Sequence, residues 1–157
     1  PMSTRCGSID PGVVLHLMQQ KKMTADEVAA CLYTQSGLLG LSGVSGDMRA
    51  LLASNAPEAE EAIAYYVRRA TREIGSLAAV MGGVDALVFT GGVGENAPRV
   101  RNMILRASAW LGFALADNVD FERSVRLTAD NSAPSAWVIP TNEELMIARH
   151  AVRTVAR

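Results

Sequence analysis

The sequence predicts a helix-rich α/β fold with an incomplete parallel sheet. Three observations predict it. Two short runs, ALVFT (86–90) and AWVIP (136–140), are almost wholly apolar, partly β-branched and aromatic, and read as strands buried on both faces. A helical pattern lies between them and another follows the second, which implies right-handed crossovers onto a parallel sheet. Everything before Gly82 reads as helix and loop. Two strands make a poor sheet, so the remaining strands are expected upstream of the first residue.

Each element has its own signal. Asp10 followed by Pro11 is a helix start, with Val13, Val14, Leu17 and Met18 at helical spacing behind it. Thr24 and Glu27 form a capping box ahead of Val28, Cys31 and Leu32, and Gly37 is expected to stop that helix. LLGLSGVSG (38–46) reads as a loop and Asp47–Ser54 as a short helix. Pro57 opens the longest periodic stretch, with Ala59, Ile63, Tyr66, Val67, Ala70, Ile74, Leu77, Ala78 and Met81 on one face and Gly82-Gly83 at its end. After the first strand, Val100, Met103, Ile104, Ala107 and Leu111 mark a helix that Gly112 stops. FALAD (113–117) and SVRLT (124–128) are weaker strand signals, expected at a sheet edge. The last helix opens at Thr141, with Glu144 completing a capping box and Leu145, Ala148, Val152 and Val155 on its core face.

Composition bounds the function. The chain has 157 residues, 49% of them hydrophobic and 20% charged, which fits a single soluble globular domain. Its formal net charge of -1 gives no reason to expect a nucleic-acid or membrane partner. Cys6 and Cys31 are too few for a disulfide framework and read as buried free thiols in a reducing compartment. The first residues, PMSTRCGSID, look like the middle of a longer chain, so a fragment is expected.

Four places could carry chemistry. TGGVGEN (90–96) joins a strand to a helix, and glycines there let the backbone approach an anion such as phosphate. The competing reading is a tight turn that binds nothing. SGVSGDMR (42–49) is a second Gly/Ser loop, where Asp47 and Arg49 are either site residues or a helix cap and a solvated Arg. Glu143 follows directly on a strand, at the carboxyl end of the sheet, where open α/β sheets bind ligands. Arg5, in a polar segment, is either solvated or a guanidinium for phosphoryl oxygens. His16 and His150 have no metal-ligand spacing around them.

Taken together, PMSTRCGSIDPG (1–12), SGDMR (45–49), FTGGVGENAP (89–98) and VIPTNEELMIAR (138–149) resemble, in order, the C-terminal part of the acetate kinase family. That family includes propionate kinases and belongs to the sugar-kinase and actin superfamily, with a ribonuclease H-like fold. The resemblance implies that residues 1–157 are the partial C-terminal nucleotide-binding domain of a longer enzyme whose N-terminal domain is absent. It implies reversible, Mg²⁺-dependent phosphoryl transfer from ATP to acetate, giving acetyl phosphate and ADP, by a cytoplasmic homodimer. Arg5 matches the arginine that stabilises the transferring phosphoryl group. Asp47, Met48 and Arg49 match the adenosine-contacting triplet. Gly92, Val93, Gly94, Glu95 and Asn96 match the nucleotide loop, and Glu143 matches the Mg²⁺ carboxylate. The acyl-binding and base-side residues fall outside the matched segments, so this chain alone is expected to be inactive. A propionate or other short-acyl kinase and an inactive association module are the alternatives.

Overall fold

The computed structural model describes residues 2–155; Pro1, the first residue of the first motif, lies outside them with Ala156 and Arg157. The chain divides into two compact units. One runs as far as Gly82 and adds Arg106–Ser108; the other holds Gly83–Leu105 and the residues from Ala109 onward.

The first unit is helical. Helix α1 (Pro11–Gln19) starts as expected: the Asp10 carboxylate accepts the Gly12 N–H at 2.7 Å, and Pro supplies the first position. The Thr24 and Glu27 capping box opens α2 (Ala25–Thr34). Gly37 does not stop α2, which ends at Gln35; it starts a further helix, α3 (Gly37–Ser42), where a loop was expected. The reason lies far away in sequence. The first-turn N–H groups of Leu38 and Leu39 donate to the carbonyls of Met2 and Ser3 at 2.9 and 3.0 Å, so the amino-terminal segment caps α3. Asp47 caps α4 (Met48–Ala53), and Gly82 closes α5 (Pro57–Met81) in the left-handed conformation.

Helix α5 packs against α3 and α4, and Leu38, Leu51, Ile63 and Val67 form the core there. Burying a side chain such as Leu51 or Ile63 is worth about 1.5–3 kcal/mol. The apolar stripe of α5 is buried only in part: Leu77 and Met81 are exposed. The α1 stripe is likewise unburied, with Val13 and Met18 exposed. Cys6 and Cys31 are free thiols as expected, but only half-buried.

In the second unit, β1 (Ala86–Phe89) and β2 (Ser135–Val138) pair in parallel, with Phe89 opposite Val138. Neither is buried on both faces. Val88 is 46% exposed, and only Phe89 and Ala136 are buried. A sheet of two strands covers neither of its faces. The two weak strand candidates form isolated antiparallel bridges, Leu115 to Thr128 and Arg126 to Trp137, which lay the 124–128 segment along β2. The Arg126 guanidinium stands 5.2 Å from the Trp137 ring centroid and adds a cation–π contact.

Between the strands lie α6 (Gly91–Asn96), α7 (Pro98–Ala107) and a 3₁₀ turn (Ala109–Leu111). The buried face of α7 is rotated from the expected one. Ala97, Val100, Arg101, Ile104, Leu105 and Ser108 are buried, whereas Ala107 is exposed and Met103 and Leu111 are intermediate. Helix α8 (Glu143–Val155) has no buried residue; Leu145, Val152 and Val155 stand exposed rather than on a core face.

The start of α8 also departs from expectation. The cap is Asn142, whose side-chain oxygen accepts the Leu145 N–H at 3.0 Å; Thr141 turns its hydroxyl to Glu95 instead, so no Thr141–Glu144 box forms. Asn is at least as good a cap as Thr. Asn142→Ala should therefore cost about 1 kcal/mol of stability, and Glu144→Ala less than about 0.5 kcal/mol. Urea denaturation of the two variants checks this, and the opposite order would restore the Thr141 cap.

Candidate functional site

The carboxyl ends of β1 and β2 finish level with each other. The Ile139 N–H donates to the Phe89 carbonyl at 2.9 Å, and both chains then turn into helices. In an open parallel sheet this is the end where ligands bind. TGGVGEN is not a loop here but mostly helix: Thr90 is extended and residues 91–96 form α6.

The three glycines of α6 have three different duties. Gly91 has φ +68°, the left-handed value that lets the chain turn sharply out of β1. A Cβ on Gly94 would stand 3.1 Å from the Phe89 backbone carbon, so Gly94 permits close packing on the strand end. A Cβ on Gly92 would meet nothing within 4 Å, and its φ is not left-handed. No internal constraint explains a glycine at 92, which leaves an open flank of bare backbone.

Other side chains brace α6. The Asn96 amide donates to the Gly92 carbonyl at 3.0 Å. Glu95 Oε1 accepts the Gly91 N–H at 2.7 Å, the Thr141 N–H at 2.9 Å and the Thr141 hydroxyl at 3.1 Å. The Thr141 backbone N–H, then that of Gly91, hold the Glu95 carboxyl below the usual carboxylate range. The Gly91 N–H is thus spent inside the protein. Arg101, 2% exposed, donates to the Gly94 and Glu95 carbonyls at 2.9 and 2.7 Å and to the Phe121 carbonyl. Burial pushes its guanidinium down, and its Nε has no partner.

Glu143, the first residue of α8, lies two residues beyond Thr141 and is exposed. Among the described residues no group of three or more His, Cys, Asp or Glu could form a metal cage. A lone carboxylate still fits Mg²⁺, which takes most of its ligands from phosphate and water.

The first unit holds the other expected residues. Arg5 sits in a turn closed by the Met2 N–H on the Arg5 carbonyl, with its guanidinium 4.9 Å from the Tyr33 ring centroid. The turn is clamped: Cβ atoms on Gly37 and Gly46 would stand 2.3 Å from the Met2 oxygen and 2.8 Å from the Ser3 oxygen. Asp47 holds Arg49 in a fork, with Nη2 2.8 Å from Oδ2 and Nε 3.3 Å from Oδ1, while Oδ1 also caps α4 through the Arg49 N–H. The Arg49 side chain, then its backbone N–H, lowers the Asp47 carboxyl, and the Asp47 side chain raises Arg49. Arg49 is held flat yet 82% exposed. The Met48 side chain between them is buried, so what it can offer a ligand is backbone.

Comparison with known proteins gives this geometry a family. The family model described as the Acetokinase family matches residues 1–149. The chain belongs to the acetokinase family. The acetate kinase of Rhodopseudomonas palustris is 54% identical over 154 residues, 97% of this chain but 39% of that protein. That of Methylocella silvestris is 51% identical over 152 residues, again covering 97% of the chain and 38% of the relative. Among solved structures, Porphyromonas gingivalis acetate kinase superposes with a TM-score of 0.88 at 35% identity, over 98% of this chain and 40% of that one. A Francisella tularensis propionate kinase gives 0.84 at 36% identity, over 94% and 38%. The chain thus spans about two fifths of the length of its acetokinase relatives. At these identities the neighbours also establish the actin-like, sugar-kinase fold expected from the motifs.

Within the second unit, the structure brings the 92–96 segment to the start of the helix that carries Glu143, joined through Glu95. Within the first, it seats Arg5 on Tyr33 and pairs Asp47 with Arg49. Sequence reasoning missed Tyr33, Gly46 and Arg101, and it gave Gly37 and Thr141 other duties. Only Arg101 left a legible signal: Ala97, Ile104 and Leu105 sit around it at spacings of three and four, which place it inside the buried stripe.

Proposed function

We propose that this chain supplies the nucleotide side of an acetate kinase active site, as the partial C-terminal domain of a cytoplasmic, homodimeric enzyme that transfers the γ-phosphoryl group of ATP to acetate. The observation that carries the reading is Gly92, whose open flank at the strand ends meets nothing among the described residues. No helix among the described residues is long and apolar enough to cross a membrane. Exposed Tyr65 offers an aromatic of the kind common at protein interfaces.

The residues then have distinct duties. The bare backbone around Gly92, Val93 and Gly94 lets a phosphate chain lie close. Asn96 braces that backbone through the Gly92 carbonyl. Arg49, held in place by Asp47, offers a planar cation on which an adenine can stack. Arg5 places a permanent charge for the equatorial oxygens of the transferring group, where a loose transition state gathers negative charge. Glu143 would hold Mg²⁺, which when bound neutralises phosphate charge. The acetate pocket falls to the part of the enzyme beyond this chain.

Gly92→Ala tests the reading. The new methyl strains nothing, so stability should stay level or rise by up to about 1 kcal/mol from better helix propensity. ADP affinity, measured by calorimetric titration with Mg²⁺, should fall at least about tenfold. Gly94→Ala is the tight-contact control, since its Cβ would press on the Phe89 backbone at 3.1 Å. A Gly92→Ala variant with unchanged ADP affinity would remove the site from this flank.

A further inference from the structure

We propose that Glu95 is a positioning residue that latches the nucleotide-side helix to the start of the Glu143 helix, and does not itself contact nucleotide. This rests on the nucleotide reading above. The β1–β2 ladder ends at the bond from Ile139 N–H to the Phe89 carbonyl, and beyond it the two chains diverge into α6 and α8. At that point one carboxylate oxygen gathers a donor from the first turn, Gly91 N–H, and two from the second, the N–H and hydroxyl of Thr141. The second turn is 46 residues away in sequence. Thr141 stands two residues before Glu143, so the latch sets how the bare backbone at Gly92 faces that carboxylate.

Two features separate a latch from a ligand contact. All three of these bonds end on Oε1, leaving that oxygen saturated by protein donors. The carbonyl end of α6 is meanwhile held by Arg101 on the Gly94 and Glu95 oxygens, so the backbone of Glu95 is fixed while its side chain reaches across to Thr141. A Gln at this position keeps a carbonyl oxygen where Oε1 stands, and it replaces the charge and the second acceptor oxygen by an amide donor.

The test uses this chain, with amide hydrogen exchange followed by NMR and ADP with Mg²⁺ as the binding probe. Glu95→Ala should speed exchange at both Gly91 and Thr141 by at least about tenfold and weaken ADP by a similar factor. Glu95→Gln should keep both amides protected and hold ADP affinity within about twofold. Thr141→Val, which removes only the hydroxyl bond, should speed exchange at Gly91 although it lies on the other turn. The proposal is overturned if Glu95→Gln keeps its protected amides but loses ADP as Glu95→Ala does, because Glu95 then acts on the ligand through its charge. It is also overturned if Glu95→Ala leaves Thr141 protected. An unsubstituted chain that shows no ADP binding would instead sink the nucleotide reading, and the exchange pattern would still decide whether the latch exists.

Discussion

Arg101→Ala should lower the unfolding free energy by about 3–5 kcal/mol, from the cavity and the stranded acceptors it creates. The guanidinium is 2% exposed, and no carboxylate pairs with it among the described residues. Its charge is met by carbonyl oxygens, two of them at the end of α6, where helix carbonyls carry partial negative charge. Truncation leaves those half-buried acceptors without their donor. Arg101→Lys should recover part of the loss, because one ammonium cannot reach every carbonyl that the planar fork serves. Urea denaturation with an unchanged slope gives the figure. A loss below about 1 kcal/mol would mean that these hydrogen bonds contribute little beyond what water supplies.

Gly37→Ala should be the most damaging change in the first unit. A Cβ there would stand 2.3 Å from the Met2 oxygen and 2.8 Å from the Arg5 oxygen, at φ +63°. Gly43→Ala is the matched control, since Gly43 has the same φ and nothing within 4 Å. The control should cost about 1–2 kcal/mol for left-handed strain alone. Gly37→Ala should cost at least about 2 kcal/mol more, as overpacking against backbone does. It should also displace Arg5 from Tyr33. Parallel thermal melts of the two variants check the difference, and equal costs would show that the amino-terminal turn is not clamped.

Much of the fold is legible because its signals are local. Asp10-Pro11, Thr24 with Glu27, Asp47, Pro57 and Gly82 each act within one helical turn, and each stands where expected. The parallel pairing of 86–89 with 135–138 is legible from the apolar runs and the helices between them. Two of the failures share a cause, which is a partner distant in sequence. Helix α3 exists because Met2 and Ser3 cap it. Thr141 gives up its capping-box spacing because Glu95 competes for its hydroxyl, and Asn142 takes over the cap. The stripes of α1 and α8 are real in sequence but find no cover among the described residues. At the site, residue types were readable and duties were not. Glu95 reads as one residue of a loop and proves to be the bond between two turns.

The central claim is that this chain carries the phosphoryl-stabilising and nucleotide-binding half of an acetate kinase. The most direct measurement joins it to the remaining N-terminal part of the Rhodopseudomonas palustris acetate kinase, which is 54% identical over the matched region. Acetohydroxamate is then followed from acetate, ATP, Mg²⁺ and hydroxylamine. The joined protein should form hydroxamate, the 157-residue chain alone should form none, and Arg5→Ala in the joined protein should lower kcat by about 10²–10³. A folded joined protein that binds ADP yet forms no hydroxamate, or one in which Arg5→Ala turns over at the parent rate, would contradict the account.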